Sequence, residues 1–422
     1  MRLLHTSDWH LGQTLHDFDR SYEHAQFLDW LLAQIEAEAP DALLIAGDVF
    51  DTANPSAQAQ HQFARFLTAA RERAPALNIV VIAGNHDSPG RLEATRPFLE
   101  LFDASVVGQV DRHGPDAFDL DRLVVPLKAR DGEVRAWCIA MPFLRPGDVP
   151  RIEGAADAYL AGVAALYQRA LANAQAKRLP GQAIVAMGHC HMVAGKASEN
   201  SERRIVIGGA EALPADVFDV AIAYTALGHL HLAQQVNGQA NLRYSGSPLP
   251  MSFAEIDYPH QIVCVELEGE TAKAIRPIRV PRSVELLRVP KTHAPLDEAL
   301  AELAELDLSA YAGLPPEAQP FLEVRVRLDA PEPGLRARIE DALAGQPVRL
   351  ARIDPTSHRA KAESERPIVS LTDLEKLEPE QVFERLCGQR INPDLEGREE
   401  MMTALRRAFA ELQLDPSEEV SA

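Results

Sequence analysis

Four short apolar runs, at 42–46, 79–83, 184–187 and 220–227, each break off at a glycine followed directly by Asp, Asn or His. The motifs read Gly47-Asp48-Val49-Phe50-Asp51, Gly84-Asn85-His86-Asp87, Gly188-His189-Cys190-His191 and Gly228-His229-Leu230-His231; a fifth, Asp8-Trp9-His10, follows Leu3-Leu4. Apolar runs of this length, bounded by turn residues, predict buried strands. In α/β sheets, sites gather just beyond the carboxyl ends of strands. The pattern therefore predicts an α/β fold that brings distant side chains to one sheet edge, all of metal-ligand type. Six of the 14 histidines fall in these motifs, a concentration that five unrelated turns do not predict.

At 422 residues the chain has room for two or three domains, each with its own core. No apolar stretch has membrane-spanning length and no signal-peptide pattern stands at the start, so a cytoplasmic protein is expected. Cys138, Cys190, Cys264 and Cys387 lack the paired spacing of a disulfide framework or a cysteine-rich zinc site. With 42 basic and 62 acidic residues the net charge is −20, which argues against a solitary nucleic-acid binder. It leaves DNA chemistry open, because divalent ions offset carboxylates locally and a partner can supply a basic surface.

Strand and helix alternate through 1–280. Ser21 is expected to cap a helix striped by Ala25, Leu28, Leu32 and Ile35. Asn54-Pro55 is expected to open another, striped by Phe63, Phe66, Leu67 and Ala70. A longer helix covers 155–177, and strands at 262–267 and 272–280 close the domain. A small α+β unit follows at 281–357, with strands at 284–289, 322–328 and 348–353 and helices near 296–303 and 334–343. Residues 358–369 read as a linker and 370–414 as C-terminal helices, the last setting Met402, Leu405, Phe409 and Leu412 at spacings of 3, 4 and 3. That is a short a/d seam, which must pack on its own domain or on a partner. The tail, 415–422, is expected to be disordered.

Two-metal hydrolysis needs a carboxylate between the ions and N/O ligands on each side. Asp8 and His10, one residue apart, can reach a single ion, and Asp48 is the natural bridge. The expected sets are Asp8, His10, Asp48 and His231 for one ion, and Asp48, Asn85, His189 and His229 for the other. A water activated between them would attack phosphorus in line. His86 follows a ligand and faces elsewhere around the pocket, where it could donate a proton to the leaving oxygen. Asp51, three residues after Asp48, is expected to hold the His86 ring by a hydrogen bond, with Asp87 able to do the same. His5 reads as a core histidine, His16 as a solvated loop residue, His191 as outlying, Cys190 and Trp9 as packing, and Arg91 and Arg96 as surface cations.

Read together, Ser7-Asp8-Trp9-His10-Leu11-Gly12, Gly47-Asp48-Val49-Phe50-Asp51, Gly84-Asn85-His86-Asp87-Ser88 and Tyr244-Ser245-Gly246-Ser247-Pro248 resemble the calcineurin-like metallophosphoesterases, and among them the SbcD nuclease subunits. The resemblance spans nearly the whole chain. It implies a two-sheet β-sandwich flanked by helices, a small α+β capping domain and C-terminal helices. It also implies a pair of divalent ions, manganese by preference, bound at Asp8, His10, Asp48, Asn85, His189, His229 and His231, with His86 catalytic. The implied substrate is DNA, cut as a 3′–5′ double-strand exonuclease and a single-strand and hairpin endonuclease in end processing, repair and recombination. The implied partner is an SbcC-like ABC-type ATPase with a long coiled coil, bound through the seam Met402, Leu405, Phe409 and Leu412. Two nuclease subunits would pair through helices near 56–74 and 91–102. A phosphodiesterase or phosphatase of the same fold acting on small esters is the alternative. A non-catalytic scaffold is disfavoured because no expected ligand is missing.

Overall fold

The computed structural model describes residues 1–356, apart from 95, 100–103, 115–116, 194, 197–211, 329 and 331, together with 401–406 and 409. It divides into two compact units, Met1–Thr356 and Ser357–Ala422. Two six-stranded sheets build most of the first. One runs, edge to edge, through Thr271–Arg279, Gln261–Glu268, Arg2–Thr6, Ala42–Ala46, Asn78–Ile82 and Ala104–Val107, with the last four strands parallel. The other runs through Gln234–Val236, Gln239–Tyr244, Tyr224–Gly228, Ala183–His189, Val134–Ala140 and Val124–Lys128, with its four middle strands parallel. This is the two-sheet sandwich that the resemblance implied.

Strand periodicity sorts the core into two layers, because successive side chains point to opposite faces. Leu3, Leu44 and Val80 join Val185, Ala226 and Val263 in one buried cluster. Leu4, Leu43, Ile45 and Val81 turn the other way, onto Phe27, Leu31, Phe63 and Phe66 of the helices Ser21–Glu38 and Ala57–Arg73. The helix Ala158–Lys177 buries Val163, Leu166, Tyr167 and Ala170 with the second sheet. Strands that read as unbroken apolar runs are thus covered on both faces.

Three local readings shift. Arg20, not Ser21, precedes the first helix, because Ser21 donates its N–H and hydroxyl to Asp19. Ser56, not Asn54, caps the second, accepting from Ala59 N at 3.2 Å. The fourth apolar run begins too early: its strand is Tyr224–Gly228, and Val220 lies in an exposed turn.

Residues 286–356 form three parallel strands, Leu286–Pro295, Phe321–Arg327 and Arg349–Thr356, joined by the helices Leu296–Ala304 and Leu335–Ala342. Val289, Leu303, Leu322, Val324, Val326 and Ile339 make their core. A separate cluster of Leu15, Phe253, Val284, Leu286 and Phe321 fastens this sheet to the loop after Asp8-Trp9-His10. On its open face Arg288, Arg325 and Arg352 surround the buried Glu323. In the second unit, residues 401–406 are helical, with Met402 buried, Leu405 exposed and Phe409 half-buried. Leu412, the linker 358–369, the rest of the helices 370–414 and the tail 415–422 lie outside the described residues, as does part of the segment 91–102.

Candidate metal centre

Every motif stands at the carboxyl end of a parallel strand, and backbone hydrogen bonds lace the ends together. Asp8 N–H donates to Gly47 O at 3.0 Å, His10 N–H to Asp48 O at 3.0 Å, and Leu11 N–H to Val49 O at 2.9 Å. Trp9 points away from the rim, packing edge-on against Phe27, Phe63 and Phe66 at centroid distances of 5.6, 6.1 and 5.2 Å. Its Nε1–H donates to Thr6 Oγ1 at 2.9 Å, so the residue between Asp8 and His10 anchors both. Asp8, His10, Asp48 and His229 all adopt positive φ, at 54°, 47°, 48° and 107°. Such backbone is sparsely populated for non-glycine residues, and its clustering at one rim marks a functional site.

Two motif glycines are there for close approach. A Cβ at Gly84 would collide with Asp48 Oδ1, and one at Gly228 would collide with Ala46 O. The strand ends can converge only because neither side chain exists.

The donor atoms fall into sets. Those of Asp8, His10 and His231 all lie within 4.8 Å of one another, as do those of Asp48, His189 and His229. Asn85 Oδ1 completes the second set, 2.9 Å from His189 Nε2 and 3.2 Å from His229 Nδ1. Asp48 Oδ2 lies between the sets, 3.3 Å from His189 Nε2 and 3.7 Å from His10 Nε2. Bonds of about 2.1 Å meeting at right to tetrahedral angles place neighbouring donor atoms roughly 3 Å apart, and the second set shows 2.9, 3.2 and 3.3 Å.

The histidines are aimed from behind. His189 Nδ1 donates to Ala46 O at 2.9 Å, His10 Nδ1 faces the Asp51 carboxylate at 3.2 Å, and His231 Nδ1 faces Glu255 Oε1 at 2.9 Å. Each outer nitrogen is held by an acceptor, which fixes the tautomer that presents Nε2 inward, as metal-ligating histidines require. His10 Nε2 is buried with no hydrogen-bond partner among the described residues, an orphan that a cation would satisfy. The residues therefore fit a pair of divalent ions.

Electrostatics agree with a cation site. Burial works against the ionised form of Asp48, yet His189, His10 and His86 hold its carboxyl well below the usual range. Burial also works against protonated His189, but Asp48 and Asp8 raise it to about 9. In the ion-free protein a proton thus stands where a divalent ion would bind, and binding must displace it. His229, pushed down by burial and by His189, is neutral and ready to ligate.

His86 lies beside these sets. Its Nδ1–H donates to the backbone carbonyl of Asp51 at 2.7 Å, and its ring meets His10 edge-on at 4.8 Å. Asp51 thus meets both rings, its carbonyl holding His86 and its carboxylate reaching His10. Asp87 is bonded to the backbone. Its buried carboxylate accepts N–H groups from Gly84, Phe50 and Val49 at 2.9, 2.9 and 3.2 Å, tying the second motif to the third. Burial and Asp48 raise its pKa to about 6, against the pull of those three donors. His191 joins no donor set and stands 6.2 Å from the His229 ring. His5 is a core residue, bonded to Tyr224 Oη and Leu227 O.

Glu255 escaped the sequence reading. It is fully buried, and besides His231 it accepts Met251 N–H at 2.8 Å. Replacing it by glutamine removes the negative charge behind His231, which would weaken that ring as a ligand. Manganese affinity in a calorimetric titration is expected to fall tenfold or more. Unchanged affinity would show that His231 needs no carboxylate behind it.

Comparison with known proteins matches these observations to a family. The calcineurin-like phosphoesterase family matches residues 1–233, and the type 5 capsule protein repressor C-terminal domain matches 282–390. The SbcD subunit of nuclease SbcCD from Rhodobacter capsulatus is 42% identical over 392 residues, covering 91% of this chain and 93% of that protein. Its Escherichia coli K12 counterpart is 32% identical over 399 residues, covering 91% and 92%. The Bacillus subtilis protein of the same name is 36% identical over 282 residues, covering 64% and 68%. With its motifs at converging strand ends and these relatives along most of its length, the chain belongs to the calcineurin-like phosphoesterases, in the family of SbcD subunits of nuclease SbcCD.

Proposed function

We propose that this chain is the nuclease subunit of a complex with an SbcC-like coiled-coil ABC ATPase. It would hydrolyse DNA phosphodiesters with two divalent ions, manganese by preference, as a 3′–5′ exonuclease on duplex ends and an endonuclease on single strands and hairpins. Asp8, His10, Asp48 and His231 would hold one ion, and Asp48, Asn85, His189 and His229 the other. The observation that carries this reading is the single oxygen of Asp48 facing both donor sets, 3.3 Å from His189 and 3.7 Å from His10.

When bound, the ions supply Lewis-acid activation and offset charge that develops on the phosphate oxygens. The protein's own contribution is placement. Asp51 orients His86 through its carbonyl, so that the ring can give a proton to the departing sugar oxygen. Asp87 keeps the loops of Asp48 and Asn85 in fixed relation. The complex is proposed to be a cytoplasmic heterotetramer with two nuclease subunits paired. The seam Met402, Leu405, Phe409 and Leu412 would bind the ATPase, in keeping with the exposed Leu405. Among the described residues no helix is long and apolar enough to cross a membrane.

The test is a cleavage panel on the purified chain, with and without the ATPase, across several divalent metals. Manganese-dependent cutting of end-labelled duplex and hairpin DNA is expected. Turnover of small phosphoesters with no DNA cleavage under any condition would overturn the reading in favour of a small-ester phosphatase.

A further inference from the structure

The strand Val134–Ala140 lies beside the strand that carries His189, parallel to it, with Ala140 paired to Met187. Its carboxyl end therefore opens on the same rim as the metal centre, yet none of the five motifs lies there. Phe143 N–H donates to Ala83 O at 2.8 Å, fixing this loop one residue before Gly84-Asn85-His86-Asp87. The buried Phe143 ring meets His189 edge-to-face at 6.3 Å. The Arg145 guanidinium lies over that same ring, 5.3 Å from its centroid.

The backbone of Arg145 is pinned. Pro146 restricts it to an extended conformation, observed at φ −97° and ψ 163°, and its N–H donates to Asp148 Oδ2 at 2.7 Å. Its guanidinium pairs with no carboxylate among the described residues. In a chain of 62 acidic and 42 basic residues, arginines are readily neutralised, as Arg122 is by Glu93 and Asp111. A second cation, Arg112, donates to Gly147 O in the same turn. Two guanidinium groups and the Asp148 carboxylate thus share the turn beside the second donor set, with Arg145 reaching it across the Phe143 ring.

We propose that Arg145 binds a phosphate of the substrate strand adjacent to the one being cut, with Phe143 as the platform that holds it beside His189. This rests on the nuclease reading above, since a small ester has no second phosphate. At a rise of about 3.4 Å per nucleotide, a neighbouring phosphate lies within reach of a side chain at this remove. Arg145 would fix the register of the strand, leaving the reacting group to the ions and His86.

The experiment compares wild type, Arg145→Ala and Arg145→Lys, each loaded with manganese, on oligonucleotide DNA and on bis(p-nitrophenyl) phosphate. Arg145→Ala is expected to raise KM for DNA about tenfold with kcat nearly unchanged, and to leave turnover of the small diester as in wild type. The slope of log KM for DNA against log salt should shrink by about 0.7 to 0.9, the loss of one phosphate contact. Arg145→Lys should recover most of the DNA KM. Equal losses on both substrates would assign Arg145 a structural role and overturn the proposal, as would an unchanged DNA KM. Failure of the wild-type protein to cut DNA while it hydrolyses the diester would instead remove the nuclease reading itself.

Discussion

Replacing His86 by glutamine is expected to lower kcat for phosphodiester cleavage by about 10²- to 10⁴-fold, the range for losing a positioned general acid, with two ions still bound. The two outcomes are linked by geometry. His86 Nδ1 is committed to the Asp51 carbonyl at 2.7 Å, and Asp8, His10, His231, Asp48, His189 and His229 make up two donor sets without it, with Asn85 beside the second. Glutamine keeps a polar group of similar reach but has no proton to give near neutral pH. The donor atoms of His10, Asp48 and His86 nevertheless also lie within 4.8 Å of one another, so a direct ligand role is a real alternative. Metal content decides between them. Loss of an ion in His86→Gln would make His86 a ligand, and full activity would take it out of the mechanism.

Much of this site could be read from the chain because its parts are local. A strand end and one or two donors, in four of the five motifs with a glycine between them, fit in a few residues, and five such pieces in order leave few arrangements. Asn85 and His189, 104 positions apart, follow strands of different sheets and meet at 2.9 Å where the two sheets share a rim. Groups that act from behind the donors were harder to see. Glu255 sits in a 3-10 turn, 24 residues beyond His231, and nothing around it sets it apart from the other acidic residues. Only the buried contact at 2.9 Å reveals it. The spacing of Asp51 from Asp48 brings it to the His86 ring but fits a carbonyl and a carboxylate equally well, and the coordinates alone give the bond to the carbonyl. Val220 misled for another reason: an apolar residue in a turn looks like the start of a strand until exposure is known.

Asp48→Asn is expected to have the largest effect on the site. Asparagine keeps the oxygen that accepts His86 N–H at 2.8 Å, so the loops should hold and the folded protein should persist. What disappears is the negative charge shared by the two donor sets. Metal content should fall from two ions per chain to one or none. Turnover should drop on the order of 10³-fold or more, because metal stabilisation of the transition state is worth several kcal/mol and each ~1.4 kcal/mol is tenfold in rate. A second measurement separates charge from architecture. In the ion-free wild type, burial opposes the protonated form of His189 but Asp48 overcomes it and raises the group to about 9. Without that charge, burial meets only Asp8 and the Ala46 carbonyl, and His189 should titrate lower in an NMR pH series of the ion-free variant. An Asp48→Asn protein that retains both ions, near-normal turnover and a His189 still titrating near 9 would show that Asp48 does not bridge the two sets.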